Sequence, residues 1–321
     1  MEFNKNKWNY RELVDDDIDR CLSLYEKSFG SSIDGAMWRW KYNNGKGGGF
    51  VACEGEDIIA YYGGIGRNLF VKDNLLKCVQ ISDTMVDPAK RGIFKKNGVF
   101  ASTANKFINS YTGSDKKYKF SFGFPAQRHA QLGERLGIYS IVDKLTQSIW
   151  QTHDKKSLFY FITTLDGSEV KHFLPNIWNK MKKSFSGNII GEKSVDFVED
   201  RYIQHPLFEY KFFALKSRFW YKPLSILVAR EHLGDMSVEI LDIIGDKKAF
   251  HKSLELLLGH YGSMGFKSLF LWGTPAVYEH LPFSENSSEV CKVCITNNNL
   301  SYEVDNLKDC WVMMGGESDF R

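Results

Sequence analysis

The sequence predicts an α/β (α+β) fold in which a mixed, mostly antiparallel sheet flanked by helices is built twice. Three observations lead to it. Short apolar runs bounded by turn residues alternate with stretches of helical spacing along the chain. The first half reads, in order, β, α, α, β, β, β, α, β, α, β, which starts as an antiparallel meander and then crosses over through helices. An internal echo sets "WRWKYNNGKGGGFVACEGEDIIAYYGGI" beside "VEDRYIQHPLFEYKFFALKSRFWYKPLSILV". Each places a basic residue and a tyrosine (Lys41 with Tyr42, Arg201 with Tyr202) at a helix end, then a turn, then two strands. Helix, turn and hairpin is also a common grouping, so duplication and coincidence both stay open at this point.

The elements follow in order. Trp8 to Leu13 reads as a strand, and Asp15 to Asp17 supply caps and negative charge to a helix carrying Ile18, Cys21, Leu22, Tyr25 and Phe29. A short helix follows around Met37 to Tyr42, broken by Gly47 to Gly49. "FVAC", "IIAYYGGIGRNLFV" and "LLKCVQISDTMV" then read as three strands, the last two joined at Asp73 and Asn74. Gly98 to Tyr111 has helical spacing, "YKFSFGF" is a strand, Ala126 to Leu136 a helix and "IYSIVDKLTQSIW" a strand. Residues 151–190, with "THDKK" and a helix carrying Val170, Phe173, Ile177, Trp178 and Met181, read as a connection between halves. Beyond it come "YKFFALK", "FWYKPLSILVARE", "MSVEILDIIG", a helix from Lys247 to Tyr261, "FKSLFLWG", a short helix near Val277, and closing strands around Val290 and Trp311.

Composition sets bounds on function. With 321 residues, 43% of them hydrophobic and 15% aromatic, the chain can pack two cores and is not disordered. Forty-two Lys and Arg against 39 Asp and Glu give +3, which argues against a dedicated nucleic-acid partner and leaves room for one local basic patch. Six scattered cysteines fit a reducing compartment. Cys291 and Cys294 form a single CxxC; a zinc ribbon needs a second pair, so core cysteines are favoured over a metal or redox role. The first twenty residues hold no apolar signal-peptide core, and no apolar stretch reaches the roughly 18–20 residues of a membrane span. These features lead us to expect a cytoplasmic protein without a membrane span. "GGIGRN" lies within a strand with no helix after it, "KGGGF" lacks the Lys-Ser/Thr of a P-loop, and no HExxH or GxSxG occurs. No metal is implied.

The most informative segment is "SDTMVDPAKRGIFKKNGVF", Ser82 to Phe100: a strand end, a basic loop and a helix start. At a helix N-terminus, unpartnered N–H groups and the positive end of the macrodipole hold an anion, and Lys90, Arg91, Lys95 and Lys96 add cations suited to a diphosphate. A solvated basic turn explains the same residues equally well. Here a resemblance decides: strand, basic glycine-bearing loop and helix resemble the site at which GNAT acyltransferases bind the pyrophosphate of acyl-CoA. "KKNGVF" (Lys95 to Phe100) is similar to that family's Q/RxxGxG/A loop, with lysine first and phenylalanine last, and "VDPAKRG" resembles the segment that precedes it. "SFGFPAQRHAQLGERLGIY" (Ser121 to Tyr139) looks like the family's next strand and helix, and the tail "WVMMGGESD" resembles the ending of tandem GNAT proteins.

The resemblance implies tandem GNAT-like domains: residues 1–150 with the acyl-CoA site, the connection 151–190, and a degenerate domain 191–321 completing an acceptor cleft. It implies acyl-CoA as co-substrate, with Arg91, Lys95, Lys96, Asn97, Gly98 and Val99 around the pyrophosphate, Met85 and Val86 along the pantetheine arm where two strands splay, and Phe124 and Pro125 at the second strand's end. The second half offers "DIIGDKKAFHKSLELL" at the loop position, with one glycine and no arginine, so one CoA site is expected. An amine attacking a thioester must lose a proton, and a positioned base typically contributes about 10²–10⁴-fold. Asp83 is the candidate, as base or as substrate anchor; the polar face of a half-buried strand is the plainer reading. His129 is a second catalytic candidate, and equally a helix-surface histidine. Ser82 and His205 are candidate substrate contacts, although a regular strand turns Ser82 and Thr84 away from Asp83 and His205 suits a cap before Pro206. Many members of the family it resembles carry a general-acid tyrosine in the middle of the helix that corresponds to Ala126 to Leu136; this chain has none there, so solvent is expected to protonate the leaving thiolate. The expected acceptor is a small-molecule primary amine, most like the amino group of a dTDP- or UDP-linked amino deoxy sugar as in anthrose biosynthesis, with aromatics between Phe208 and Trp220 available to stack the base. A peptide, lysine or aminoglycoside amine is the alternative, as is a non-catalytic CoA-binding protein.

Overall fold

The computed structural model describes residues 8–42, 47–91, 98–220, 222–284, 286–297 and 304–318. The chain divides into two compact units, one of residues 1–68, 76–142 and 293–306, the other of residues 69–75, 143–292 and 307–321.

The first unit follows the predicted order: β1 (Asn9–Glu12), α1 (Ile18–Phe29), α2 (Gly35–Tyr42), β2 (Gly47–Glu54), β3 (Asp57–Val71), β4 (Asn74–Val86), α3 (Val99–Tyr111), β5 (Ser121–Gly123), α4 (Gln127–Arg135) and the start of β6 (Tyr139–Gln151). Strands β1 to β4 are sequential neighbours, and β5 joins β4 in parallel, so the meander gives way to a helical crossover as expected. Period-two alternation sorts the strands' side chains between two cores. Val51 and Tyr61 pack with Cys21, Leu24 and Trp38 from α1 and α2, while their neighbours Phe50 and Tyr62 pack with Ala104, Phe107 and Ile108 from α3. The tight turn before β4 uses left-handed Lys72 and Asp73 (φ 47° and 68°), the geometry that matches strand twist in a two-residue hairpin. "GGIGRN" lies within β3, where Gly64 presses on the Gln80 carbonyl so closely that a Cβ has no room.

The second unit holds the rest of β6, then β7 (Tyr160–Leu165), α5 (Gly167–Ser184), β8 (Ile189–Gly191), α6 (Val195–Val198) running into a wider helical turn Glu199–Ile203, β9 (Lys211–Ser217), β10 (Pro223–His232), β11 (Ser237–Gly245), α7 (Phe250–Ser263), β12 (Ser268–Gly273), α8 (Pro275–Tyr278), β13 (Asn286–Thr296, whose end belongs to the first unit) and β14 (Trp311–Val312). Its strand order is β7-β9-β10-β11-β12-β6, with β12 parallel to β11. Residues 151–190 are therefore more than a connection: β7 pairs along β9, and α5 buries Val170, Leu174, Ile177 and Trp178 in this unit's core. Asp166 caps α5, accepting from the N–H groups of Ser168 and Glu169 while Glu169 reaches back to the Asp166 N–H. Cys291 and Cys294 are buried free thiols of β13.

Within this unit Asp143 on β6 is buried, and burial pushes its carboxyl up to about 6, with the neighbouring Asp309 adding to the shift. The folded chain then holds a proton that the unfolded chain, with a carboxyl near 3.9, releases. The stabilisation is present below about pH 4 and is lost as pH rises through about 6, a swing of about 3 kcal/mol. Asp143→Asn keeps an acceptor oxygen without the charge. Urea unfolding is expected to find it more stable than wild type at pH 7.5 and equal to it at pH 4; an equal difference at both values contradicts the assignment.

Candidate functional site

The site is built on β4, β5 and the helices that flank them in the first unit. The parallel register of β4 and β5 covers Val79↔Ser121 and Gln80↔Phe122, and stops there, so Ile81 to Val86 run on past it. Gly123 pairs with Cys294 of β13 on its other side, which turns β5 towards that strand. Gly123 still lies against Ile81 of β4, and the pairing ends where β5 itself ends.

Asp83 lies on β4 beyond the last residue paired with β5 and carries φ +49°, a left-handed conformation uncommon outside glycine and tolerated best by Asp and Asn. Such a residue costs on the order of 1–3 kcal/mol and marks functional sites more often than plain strand. It also overturns one expectation. A regular strand would send Ser82 and Asp83 to opposite faces, but the Tyr42 hydroxyl is 3.1 Å from Ser82 Oγ and donates to Asp83 Oδ2 at 2.7 Å. The left-handed step breaks the alternation and brings both side chains to one phenol.

Lys41, the residue before Tyr42 at the end of α2, completes the cluster. Its ammonium donates to Asp83 Oδ1 at 3.2 Å and Oδ2 at 3.0 Å, with side chains 3% and 9% exposed. A buried carboxylate of this kind persists only when its charge is compensated. Sequence reasoning noticed Lys41 and Tyr42 as a repeated pair but gave them no chemistry; the signal was the echo itself.

The helix-start part of the site is partly described. Gly98 is the N-cap of α3 with extended geometry and no side chain to satisfy the first-turn amides, and Val99 is buried beneath. Lys95, Lys96 and Asn97 lie outside the described residues. Arg91 directs Nε to the Val86 carbonyl at 2.9 Å and a second nitrogen to the Ser28 carbonyl at 2.9 Å. Lys90 pairs with Glu54 at 2.5 Å. The Asp87 N–H bonds Ile59 on β3, so by alternation Val86, not Met85, turns its peptide groups to the edge away from β3. Met85 is buried against Trp38 and Tyr61. Phe124 is buried and packs edge-on to Phe122 at 5.9 Å, Pro125 is half-buried, and His129 is exposed on α4. Tyr62 of β3 and Tyr139 at the start of β6 share a hydroxyl–hydroxyl bond of 2.8 Å, and burial pushes both phenols well up.

His205 belongs to the second unit. Its Nδ1 accepts from the N–H groups of Leu207 (3.2 Å) and Phe208 (3.1 Å), the turn before and after Pro206 that a capping histidine makes. It lines a cavity of about 530 Å³ with Tyr202, Phe208 and Tyr210. Phe208 already stacks on His205 (5.0 Å, 22°) and meets the Arg230 guanidinium at 4.4 Å, and Tyr210, Phe212 and Phe213 are core residues. Among the described residues no group of three or more His, Cys, Asp and Glu could hold a metal ion.

The second unit repeats the first unit's cluster. Tyr202 bonds Asp242 on β11, Lys193 donates to both oxygens of Asp242 (2.7 and 2.8 Å), and Asp246 caps a short helical turn four residues on, as Asp87 does after Asp83. The parallel β11–β12 register stops at Ile240↔Leu271. Here, however, the chain's own end lies across both strands: Met314 bridges Gly273, its sulfur takes the Ile243 N–H at 3.4 Å, and the Thr274 N–H bonds Met313. Glu317 pairs with Lys193 at 2.5 Å, and Arg201 holds the carbonyls of Gly316 and Ser318, both at 3.0 Å. Gly316 touches Tyr202 and Asp242 so closely that no Cβ fits. The duplication is thus carried by matching hydrogen bonds rather than by overall sequence.

Residues 9–141 match the family model of an acetyltransferase (GNAT) domain. No curated protein matches the chain. Among solved structures, it is similar to an Enterococcus faecalis V583 protein described as a "Probable N-Acyltransferase", at 10% identity and TM-score 0.71 over 91% of this chain and 73% of that one. A GCN5-related N-acetyltransferase from Kribbella flavida gives 14% identity and TM-score 0.65 over 90% and 71%. N-myristoyltransferase of Saccharomyces cerevisiae with bound myristoyl-CoA gives 9% identity and TM-score 0.58 over 96% and 90%. At these identities the likeness is one of fold.

Proposed function

We propose that this chain, whose residues 9–141 match an acetyltransferase (GNAT) domain, moves an acyl group from acyl-CoA to a primary amine, with the amino group of a dTDP- or UDP-linked amino deoxy sugar as acceptor. The observation that carries this reading is the end of β4, which runs on past its pairing with β5 and holds the Asp83 carboxylate against Lys41, with the uncapped start of α3 following in the chain. In the proposed reaction the amine lone pair attacks the thioester carbonyl carbon. The C–N bond forms, the C–S bond breaks, and CoA leaves as a thiolate that solvent protonates. The amine's proton passes to Asp83 directly or through water. Lys41 and Tyr42 hold the carboxylate in place and compensate its charge.

The α3 amides from Val99 onward, with Lys95, Lys96 and Asn97, are assigned to the pyrophosphate, and Arg91 to bracing the strand end from which the loop leaves. Val86, Phe124 and Pro125 are assigned to the pantetheine arm, and Ser82 and His129 to the acceptor side. We assign one CoA site, in the first unit, because in the second the segment Trp311–Ser318 lies where β11 and β12 part. His205 is assigned to its turn. Six free cysteines support a reducing cytoplasm as the place of action.

The test is a melting-temperature panel. CoA is expected to raise the melting temperature, and a dTDP- or UDP-amino sugar to raise that of the CoA-bound protein further. Stabilisation by CoA with none from any nucleotide sugar removes the sugar acceptor; no shift with CoA removes the acyl-CoA site.

A further inference from the structure

We infer that the end of the β7–β9 pair in the second unit, formed by Lys155–Phe159, Arg218–Trp220 and Lys222, docks onto an anionic membrane surface. This is independent of the acyl-transfer reading. Four large apolar side chains stand out into solvent there: Leu158 is 83% exposed, Trp220 75%, Phe219 72% and Phe159 57%. They form one patch. The Arg218 N–H bonds the Phe159 carbonyl at 2.8 Å, continuing the Tyr160↔Ser217 register, and the Phe159 and Phe219 rings stack at 6.1 Å and 28°. Apolar exposure of this kind on one spot marks an interaction site rather than the scatter normal to a protein surface.

Charge identifies the partner. From Lys155 to Leu165 and from Tyr210 to Lys222 the sequence contains six cations and no acidic residue. Lys211, at the far end of β9, is taken up by Glu231, and Lys216 lies over Phe173. Lys155, Lys156, Arg218 and Lys222 remain exposed around the apolar tip, and Asp154 is the acidic residue next to it. Trp and Phe flanked by Lys and Arg are what the headgroup region of an anionic bilayer accepts: rings and aliphatic tips enter the acyl boundary while cations stay with phosphate. A second copy fits poorly, since a two-fold contact through this patch would set four cations against four. A single-stranded nucleic acid fits less well too. Its bases need aromatic faces to stack on, whereas the most exposed of the four side chains, Leu158, is aliphatic.

Sedimentation of the whole protein with phosphatidylcholine vesicles, with and without phosphatidylserine, tests this. Binding to the anionic vesicles is expected, weakening as salt rises. Phe219→Ser/Trp220→Ser and, separately, Lys155→Glu/Lys156→Glu are each expected to weaken it about tenfold or more with unchanged melting temperature. The proposal is overturned if neither vesicle binds at low salt, or if the aromatic double variant binds as wild type does. It is equally overturned if that variant abolishes self-association or RNA binding in a protein that ignores vesicles.

Discussion

Replacing Lys193 by methionine is expected to destabilise the protein by about 3–5 kcal/mol at neutral pH. Lys193 is fully buried between Asp242 and Glu317, themselves 0% and 5% exposed, and supplies the charge that both carboxylates face. Methionine fills a similar volume but leaves two anions with no ammonium. Arg201 does not take over, because its guanidinium is engaged with the Gly316 and Ser318 carbonyls. The sign of the pH dependence follows from Glu317, whose carboxyl burial already pushes up. Removing the lysine takes away the interaction that opposes this push. The folded variant should therefore bind protons that its unfolded chain releases, and regain stability as pH falls from 8 towards 5. Urea unfolding of wild type, Lys193→Met and Lys193→Met/Asp242→Asn measures this. The second substitution is expected to recover part of the loss at pH 8. A loss under about 1 kcal/mol, or one independent of pH, contradicts the account of this cluster.

Asp83→Asn is expected to slow amine-dependent release of CoA by about 10²–10⁴-fold while CoA affinity changes by less than about twofold. Asparagine is chosen because the backbone is left-handed at φ +49°, where it is among the few tolerated residues, and because it can still accept from Tyr42. It removes the proton acceptor and leaves the strand end and α3 start untouched. It also strips the buried Lys41 of its counter-charge, so a stability loss accompanies it. The double variant Lys41→Met/Asp83→Asn separates the two effects: the neutral pair should recover stability and remain slow. If the double variant turns over at the wild-type rate, Asp83 is a structural ion-pair partner and the proton goes elsewhere.

The order of elements in the first unit was legible because its strands and helices keep strict periods. Tyr61 and Tyr62 are adjacent residues in different cores, and that alternation is visible in the letters. β7 was not, since "YFITTL" follows a charged stretch and is followed at once by a capped helix, so it reads as a lead-in to α5. β8, three residues long, has no period to detect. Asp83 stood out as a candidate from its place before the basic loop, but a single left-handed φ leaves no mark on hydrophobic pattern, so the joint approach of Ser82 and Asp83 to Tyr42 was not legible. Lys41 is hidden for a related reason. A lysine near the end of a short helix reads as solvated, and only its tertiary partner makes burial possible. The sequence did flag the echo of Lys41-Tyr42 in Arg201-Tyr202; in three dimensions the tyrosines correspond, whereas the cation at Asp242 comes from Lys193. The tail "WVMMGGESD" stood out only by resemblance, and nothing in its letters told that Gly316 fits closely over that second cluster, against Tyr202 and Asp242.

The proposal that the first unit transfers an acyl group is tested most directly by mixing the purified protein with acetyl-CoA and a panel of primary amines, nucleotide-linked amino sugars among them. Free thiol and product mass are followed together. The account predicts thiol release only when a suitable amine is present, with one acetylated product formed per thiol. Acetyl-CoA that raises the melting temperature yet yields no thiol and no acetylated product with any amine would contradict it.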